Sequence, residues 1–230
     1  TDDTDDTTYG TFTFQLTATS LNKITVNGDT GLSLTGSGDL STLNTIDASA
    51  MTIGNVTTAT TIAGLVWAST NTTTGDTLTY TGTNGADNLT GHANTDDTFS
   101  GGLGVDTLVY TGRSDTFTGG GGNDVFDING VSTSSTSGYL TITDLAAGDT
   151  IDIDGASEGT ATFNATKISL GSGATFANYV ANAVSGDGST NSIARWFQYD
   201  GNTWLVNDHE ADATFQAAED SIIKITGLKN

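Results

Sequence analysis

Four aspartates, Asp97, Asp106, Asp115 and Asp124, stand nine residues apart, and Asp87 lies ten before the first of them. Two positions after each of the four comes a large apolar residue: Phe99, Leu108, Phe117 or Phe126. Glycine crowds around three of the five aspartates. GGLGVDTLV (101–109) and GGGGNDVFD (119–127) both fit the nine-residue pattern G-G-x-G-x-D-x-U-x, in which U is a large apolar residue. GTNGADNLT (82–90) lacks only the second glycine, and YTGRSDTFT (110–118) keeps the Asp and apolar positions. One residue is inserted in GHANTDDTF before Asp97.

The chemistry these residue types offer is coordination of a hard cation. Asp supplies a short carboxylate, and glycine permits backbone conformations closed to residues with a Cβ, so that carbonyl oxygens can converge on an ion. A turn-and-carbonyl cage suits Ca²⁺ better than Mg²⁺, which prefers a compact octahedron with retained water. The expected ligands are the carboxylates of Asp87, Asp106 and Asp124 with backbone oxygens of Gly82, Asn84, Gly101, Leu103, Gly119 and Gly121.

Positioning such ligands requires a coil. Six residues of each repeat make a turn and three make a short strand whose middle apolar side chain points inward, so one repeat is half a coil and repeats two apart stack on the same edge. The aspartates then divide into two rows. Asp87, Asp106 and Asp124 form one, in Gly-rich turns with two gaps for ions. Asp97 and Asp115 form the other, expected to bind weakly or not at all, because its turns contain His92, Ala93, Thr95 and the opposing cation Arg113. Without metal, like charges would stack a few ångströms apart over a thin core, so binding and folding should be coupled. Extracellular calcium modules typically bind at about 10⁻⁴ to 10⁻³ M, which allows an unfolded chain in the cytosol and a folded one outside.

Composition points the same way. Of 27 acidic residues only Glu158, Glu210 and Glu219 are glutamate, against 6 basic residues, for a net charge of −21 over 230 residues. Asp favours turns and metal sites over helices and strands. The charge makes nucleic acid and anionic membranes poor partners and cations good ones. With no Cys and two separated His residues, neither disulfides nor a zinc site can staple the fold, a task open to calcium. No stretch approaches the roughly 18 apolar residues of a membrane span. The start, TDDTDDTTYG, lacks the parts of a cleaved signal peptide, as a boundary cut between modules and export by an uncleaved C-terminal signal would equally leave it.

Around the repeats the chain reads as all-β: a parallel β-roll or β-solenoid capped by a C-terminal β-rich region with one short helix. The acidic run Asp2 to Asp6 reads as a linker. A Thr/Ser/Gly-rich solenoid portion (1–70) carries short β pieces at Phe12, Phe14, Ile24, Val26, Leu32, Leu34, Ile46, Ile53 and Val56. The calcium roll follows (71–128), with Asp76 and Leu78 as a degenerate earlier repeat. In the C-terminal region (129–230), GYLTITDLAAGDTIDIDG predicts two strands about a turn at 147–149, with Ile142, Leu145, Ile151 and Ile153 buried. The spacing of Phe176, Tyr179, Val180, Ala183 and Val184 predicts a helix over 175–184 that stops at Gly186. ARWFQYDGNTWLVND predicts a hairpin turning at Asp200 and Gly201, with Trp196 and Trp204 in packing, before a last strand at 222–225. His92 and His209 are expected as exposed turn residues.

The nonapeptides over 82–127 resemble those of repeats-in-toxin (RTX) proteins. LSLTGSGDLSTLNTIDASAMT is similar to the repeats of RTX-type bacterial surface-layer (S-layer) proteins. WFQYDGNTWLVNDHEADATFQAAEDSIIKITGL is similar to their C-terminal ends. The resemblance implies type I secretion, an extracellular location on the cell surface, and calcium-dependent self-association into a lattice, with cell-surface polysaccharide as a partner through other regions. It also implies that ITDLAAGDTIDIDG caps the roll and that Asp144, Asp149 or Asp152 could add an ion; Asp29, Asp39 and Asp47 are similar cases. The inserted residue and the Arg113 turn depart from the family pattern.

The sequence carries no catalytic constellation. His209 and Glu210 begin an H-E pair with no second His after it, and there is no G-x-S-x-G elbow. The reading is a structural protein rather than an enzyme. Two alternatives stay open: the secretion and folding module of an RTX hydrolase, and an adhesin contacting a glycan through Trp196, Tyr199 and Trp204.

Overall fold

The computed structural model describes residues 12–16, 20–36, 40, 42–52, 63–69, 77–128, 138–153, 162–185, 193–209, 213–217 and 220–230. The acidic run Asp2 to Asp6, Asp39, Ile53, Val56, Asp76, Gly186 and Glu210 lie outside these residues.

A chain that alternates three-residue strands with six-residue turns must place successive strands on opposite walls, and it does. The strands β1 (Phe12–Leu16), β3 (Leu32–Gly36), β5 (Ala63–Ala68), β7 (Ala86–Thr90), β9 (Thr107–Val109), β11 (Val125–Asp127) and β13 (Thr150–Asp152) pair in that order in one wholly parallel sheet. The intervening strands β2 (Lys23–Gly28), β4 (Thr45–Met51), β6 (Thr79–Thr81), β8 (Thr98–Leu103), β10 (Thr116–Gly121) and β12 (Leu140–Ile142) pair in parallel in the second sheet. The result is the parallel β-roll expected from the sequence. Hydrogen-bonded pairing links all three portions of the chain.

Between the walls one apolar residue of each strand stacks on its equivalent one coil away. On one wall the column runs Trp67, Leu89, Leu108, Phe126 and Ile151; on the other it runs Ile46, Tyr80, Phe99, Phe117 and Ile142. All but Ile151 are buried. Phe99 and Phe117 stack at 5.2 Å, and Tyr80 meets Phe99 edge-on at 5.8 Å. Each fully buried side chain of this kind contributes about 1.5–3 kcal/mol, a modest return per coil for a core one side chain wide.

The second sheet then continues past the first. β17 (Ser221–Ile225) pairs in parallel with β12, and β16 (Asn202–Asp208) and β15 (Ile193–Tyr199) add antiparallel strands, with β14 (Thr162–Phe163) at the edge. The β15–β16 turn has positive φ at Asp200 (48°) and Gly201 (72°), the conformation that matches strand twist in a two-residue hairpin. Helix α1 (Phe176–Ser185) lies against this extension, burying Val180, Ala183 and Val184. Its start is fixed by a reciprocal cap: the Asn178 side chain accepts from Thr175 N–H at 2.9 Å, and Asn178 N–H donates back to Thr175 Oγ1 at 3.3 Å. Ile142 is buried, and Leu145, Ile151 and Ile153 are partly buried against the same core. The 140–153 stretch adds one further coil to the roll, one strand per wall.

Candidate metal site

The two rows of aspartates form as the nine-residue spacing requires. In the first, Asp87 N–H donates to Asp106 Oδ1 at 2.8 Å and Asp106 N–H to Asp124 Oδ1 at 2.9 Å. Asp124 N–H donates in turn to Asp149 Oδ1 at 3.0 Å, 25 residues on, so Asp149 prolongs the row. In the second row Asp97 N–H donates to Asp115 Oδ1 at 2.8 Å, and Leu78 N–H to Asp97 Oδ1 at 3.0 Å. Each carboxylate thus spends one oxygen on the coil before its own.

The other oxygens differ. Asp87 Oδ2 accepts from Thr83 N–H at 2.7 Å, and Thr83 Oγ1 lies 3.1 Å from both carboxylate oxygens, while Leu65 N–H donates to Asp87 Oδ1. Asp97 Oδ2 accepts from His92 N–H at 2.8 Å. Asp106 is 0% exposed and Asp115 1%, and the Oδ2 of each has no hydrogen-bond partner, so one such oxygen stands in each row. Native proteins seldom leave a buried carboxylate oxygen so.

The first glycine of each turn leaves a cradle beside these oxygens. A Cβ on Gly101 would stand 2.2 Å from Asp106 Oδ2 and 2.6 Å from the Gly119 carbonyl oxygen. A Cβ on Gly82 would stand 1.9 Å from Gly101 O and 2.6 Å from Asp87 Oδ2, and one on Gly119 would stand 2.4 Å from Asp124 Oδ2. Carboxylate and carbonyl oxygens of neighbouring turns therefore face one another where only hydrogen is tolerated. Not every expected carbonyl is free for this: Gly121 O accepts from Gly104 N–H at 2.7 Å. Leu103 is 60% exposed, with its N–H bonded to Thr83 O at 3.2 Å, and Asn84 lies half-buried at the turn surface.

Burial makes the ladder electrostatically expensive. It pushes the Asp106 carboxyl up to about 8, with the charges of Asp87 and Asp124 adding to it against the Asp87 N–H bond. Asp115 is likewise pushed up to about 8 by burial, with Asp97 and Asp96 adding, and Asp87 to about 6 by burial. Asp124 is raised by burial and by Asp149 and Asp144. An ion would reverse this balance.

All-oxygen donors, an orphaned buried carboxylate oxygen and glycine cradles fit Ca²⁺ in the first row. Asp87, Asp106 and Asp124 would hold it with carbonyl oxygens such as those of Gly101 and Gly119. Among the described residues no three His, Cys, Asp or Glu side chains gather around a single point, so such sites lean on backbone oxygen.

Three expectations are corrected. His92 is 1% exposed, because its N–H is drawn in to Asp97 and its ring follows. His209 is 9% exposed, its N–H donating to Asp220 Oδ1 at 3.0 Å. Arg113 does not turn into the second row: its Nε pairs with exposed Asp96 at 3.2 Å. Thr83 escaped the sequence reading, since it fills the place of the missing second glycine in the 82–90 repeat. Asp144 accepts from Gly119 and Gly120 N–H at 2.9 and 2.8 Å.

The turns depend on glycine to unequal degrees. Gly120 has φ +100° and its Cβ would meet Gly102 O at 2.1 Å, whereas Gly201, at φ +72°, faces open space. Gly120→Ala should therefore lower the urea midpoint far more than Gly201→Ala, whose cost is the roughly 1–2 kcal/mol of a left-handed residue alone. Equal losses would show that the coils are not packed this closely.

No protein-family model matches the chain, and no curated protein matches it either.

Proposed function

We propose that this chain is a calcium-dependent structural segment: a β-roll whose turns close on Ca²⁺. More particularly, we read it as the C-terminal part of an RTX-type bacterial S-layer subunit, exported by type I secretion and assembling with copies of itself on the cell exterior. The observation that carries the reading is the first-row ladder, with Asp106 fully buried, one oxygen unpartnered, beside a glycine cradle. When bound, calcium supplies positive charge between stacked carboxylates. The chain's own residues do the rest: the Asp Oδ1 atoms fix the register of neighbouring coils, the glycines admit the carbonyls, and the apolar columns hold the walls apart.

Further support comes from charge and packing. The net charge of −21 favours cations over nucleic acid. Among the described residues no helix is long and apolar enough to cross a membrane. The glycan reading weakens at its tryptophans: Trp204 is 6% exposed, with Nε1 donating to Tyr199 O at 3.1 Å, and Trp196 Nε1 donates to Ala165 O at 3.1 Å.

The test is a calcium titration of chelator-treated protein followed by circular dichroism, with electron microscopy of the same samples. A cooperative gain of β-structure, then ordered arrays, is the expected result. Unchanged spectra and heat resistance in chelator would overturn the calcium reading, and folding without arrays from the intact parent would overturn the lattice reading alone.

A further inference from the structure

The two sheets end at different places. The first stops at β13, whereas the second runs on through β17, β16, β15 and β14, so its inner face continues where no opposite wall remains. The space left is a cavity of about 680 Å³, lined mainly by apolar side chains, among them Ile151, Ile153, Phe163, Trp196, Leu205 and Ile225. Its size is that of a binding pocket rather than a packing defect, since protein interiors hold few voids larger than a water molecule. Ile151 and Ile153 are only partly buried, and Phe163 is 57% exposed. The apolar column of the first sheet therefore ends uncovered.

Charge distinguishes the rim. Lys229 lines the cavity, and Lys167 stands over the Trp196 ring with its Nζ 6.0 Å from the centroid. Gln198 joins the two lysines: its Oε1 accepts from Lys167 Nζ at 3.1 Å, and its Nε2 donates to Lys229 O at 2.9 Å. Lys229 Nζ donates to Leu145 O at 2.6 Å. Among the described residues neither ammonium pairs with a carboxylate, although the chain holds 27 acidic residues against 6 basic ones, and Lys23 and Arg113 both have such partners. The carboxylate that lines the cavity, Asp149, gives its oxygens to the amides of Asp124 and Ala146. An ammonium has three donors, so each lysine can still hold an anion.

An occupant of this groove needs acidic groups beside an aromatic or apolar one, and the chain carries such a segment. TDDTDDTTYG sets Asp2, Asp3, Asp5 and Asp6 shortly before Tyr9, with no basic residue until Lys23. The segment is too short for the groove of its own chain. Tyr9 stands three residues and Asp6 six before Phe12 of β1, so they extend at most about 10 and 20 Å from it. β13 lies six strand spacings from β1, roughly 29 Å, and the lysines lie beyond it. We propose that the groove at the end of the roll is a docking site for the acidic segment 2–9 of a second copy, with aspartates against Lys167 and Lys229 and Tyr9 on the apolar floor beside Trp196. Such a contact is heterologous, head to tail, so it extends from copy to copy instead of closing a two-fold pair. The inference deepens the self-association reading and rests on it.

Sedimentation velocity in saturating calcium compares the full chain with two charge-reversed forms. One carries Lys167→Glu and Lys229→Glu; the other carries Asp2→Lys, Asp3→Lys, Asp5→Lys and Asp6→Lys. The unmodified chain is expected to associate, less so as salt is added, and each reversed form to stay monomeric. Their equimolar mixture should associate again, because each reversed surface then meets its opposite. Neither set touches the aspartate ladder, so calcium midpoints by circular dichroism should stay within about twofold of the unmodified chain. A synthetic peptide of residues 1–11 gives a readout that needs no association of the chain: it should shift the tryptophan emission of the unmodified chain but not that of Trp196→Phe. Reversed forms that associate like the unmodified chain, a mixture that stays monomeric while the unmodified chain associates, or a peptide without effect overturns the inference. A chain that stays monomeric in calcium yet binds the peptide upholds the groove and removes the lattice reading instead.

Discussion

Asp106→Asn raises the calcium concentration needed for folding at least tenfold, and in chelator the same substitution makes the chain more stable. The opposite signs follow from one position. Asp106 is the middle rung of the first row: its Oδ1 accepts from Asp87 N–H, and its own N–H donates to Asp124 Oδ1. Asparagine keeps the acceptor oxygen and the backbone donor, so the coils retain their register. What it loses is the charge, which lies in both ion gaps of the row and which burial disfavours when no cation is present. Asp115→Asn is the control in the second row. It removes an equally buried carboxyl and should also stabilise the chelated protein, but if calcium uses mainly the first row it leaves the calcium midpoint within about twofold, little more than 0.4 kcal/mol. Circular dichroism titrations of both variants check this. A midpoint for Asp106→Asn close to that of the unmodified chain would show that its carboxylate does not serve an ion.

Acidification separates the calcium-free and calcium-loaded proteins in opposite directions. In chelator, the folded state holds protons on Asp106 and Asp115 up to about pH 8 and on Asp87 up to about pH 6, whereas an unfolded aspartate releases its proton near the ordinary value of about 3.8. The folded chain binds more protons, so this contribution to stability is complete below about pH 4 and is lost as pH rises to about 8. A tenfold change in proton affinity corresponds to about 1.4 kcal/mol, and with three such carboxyls the loss between pH 5 and pH 8 amounts to several kcal/mol. With calcium saturating, the ligands must be ionised, so protons compete with the ion and stability falls on acidification through the same window. Thermal melts from pH 5 to pH 8, with and without calcium, should therefore show slopes of opposite sign. Parallel slopes would mean that the carboxyls titrate independently of any ion.

The repeat made the roll legible because a fixed period of Asp and apolar positions encodes both the turn and the inward-facing residue. Coils of 18 residues follow directly, and with them the two rows. The hairpin at Asp200 and Gly201 and the helix at Phe176–Ser185 were equally open to reading, since both rest on local chemistry. Less was legible where the cause is tertiary. His92 looks like a polar turn residue, yet the inserted residue before Asp97 lengthens its turn, and its N–H bonds back to Asp97 Oδ2. Arg113 looked like a cation facing the second row because Asp96, its partner one coil earlier, could be located only with the coils stacked. Tyr80 reads as an ordinary apolar core position, and only the structure shows that its hydroxyl is buried without a hydrogen-bond partner.

The direction of the aspartate bonds gives the roll a polarity. Every rung, from Leu78 and Asp87 to Asp124, has its backbone amide held by a carboxylate that arrives later in the chain, ending at Asp149. A growing stack of coils is thus templated backwards, each new turn clasping its predecessor. Cutting the chain after residue 128 would leave the Asp124 amide unclasped and the last apolar pair uncovered, whereas trimming from the other end removes only recipients. A chain that leaves a cell with its C-terminal end first would present the clasp before the coils that need it.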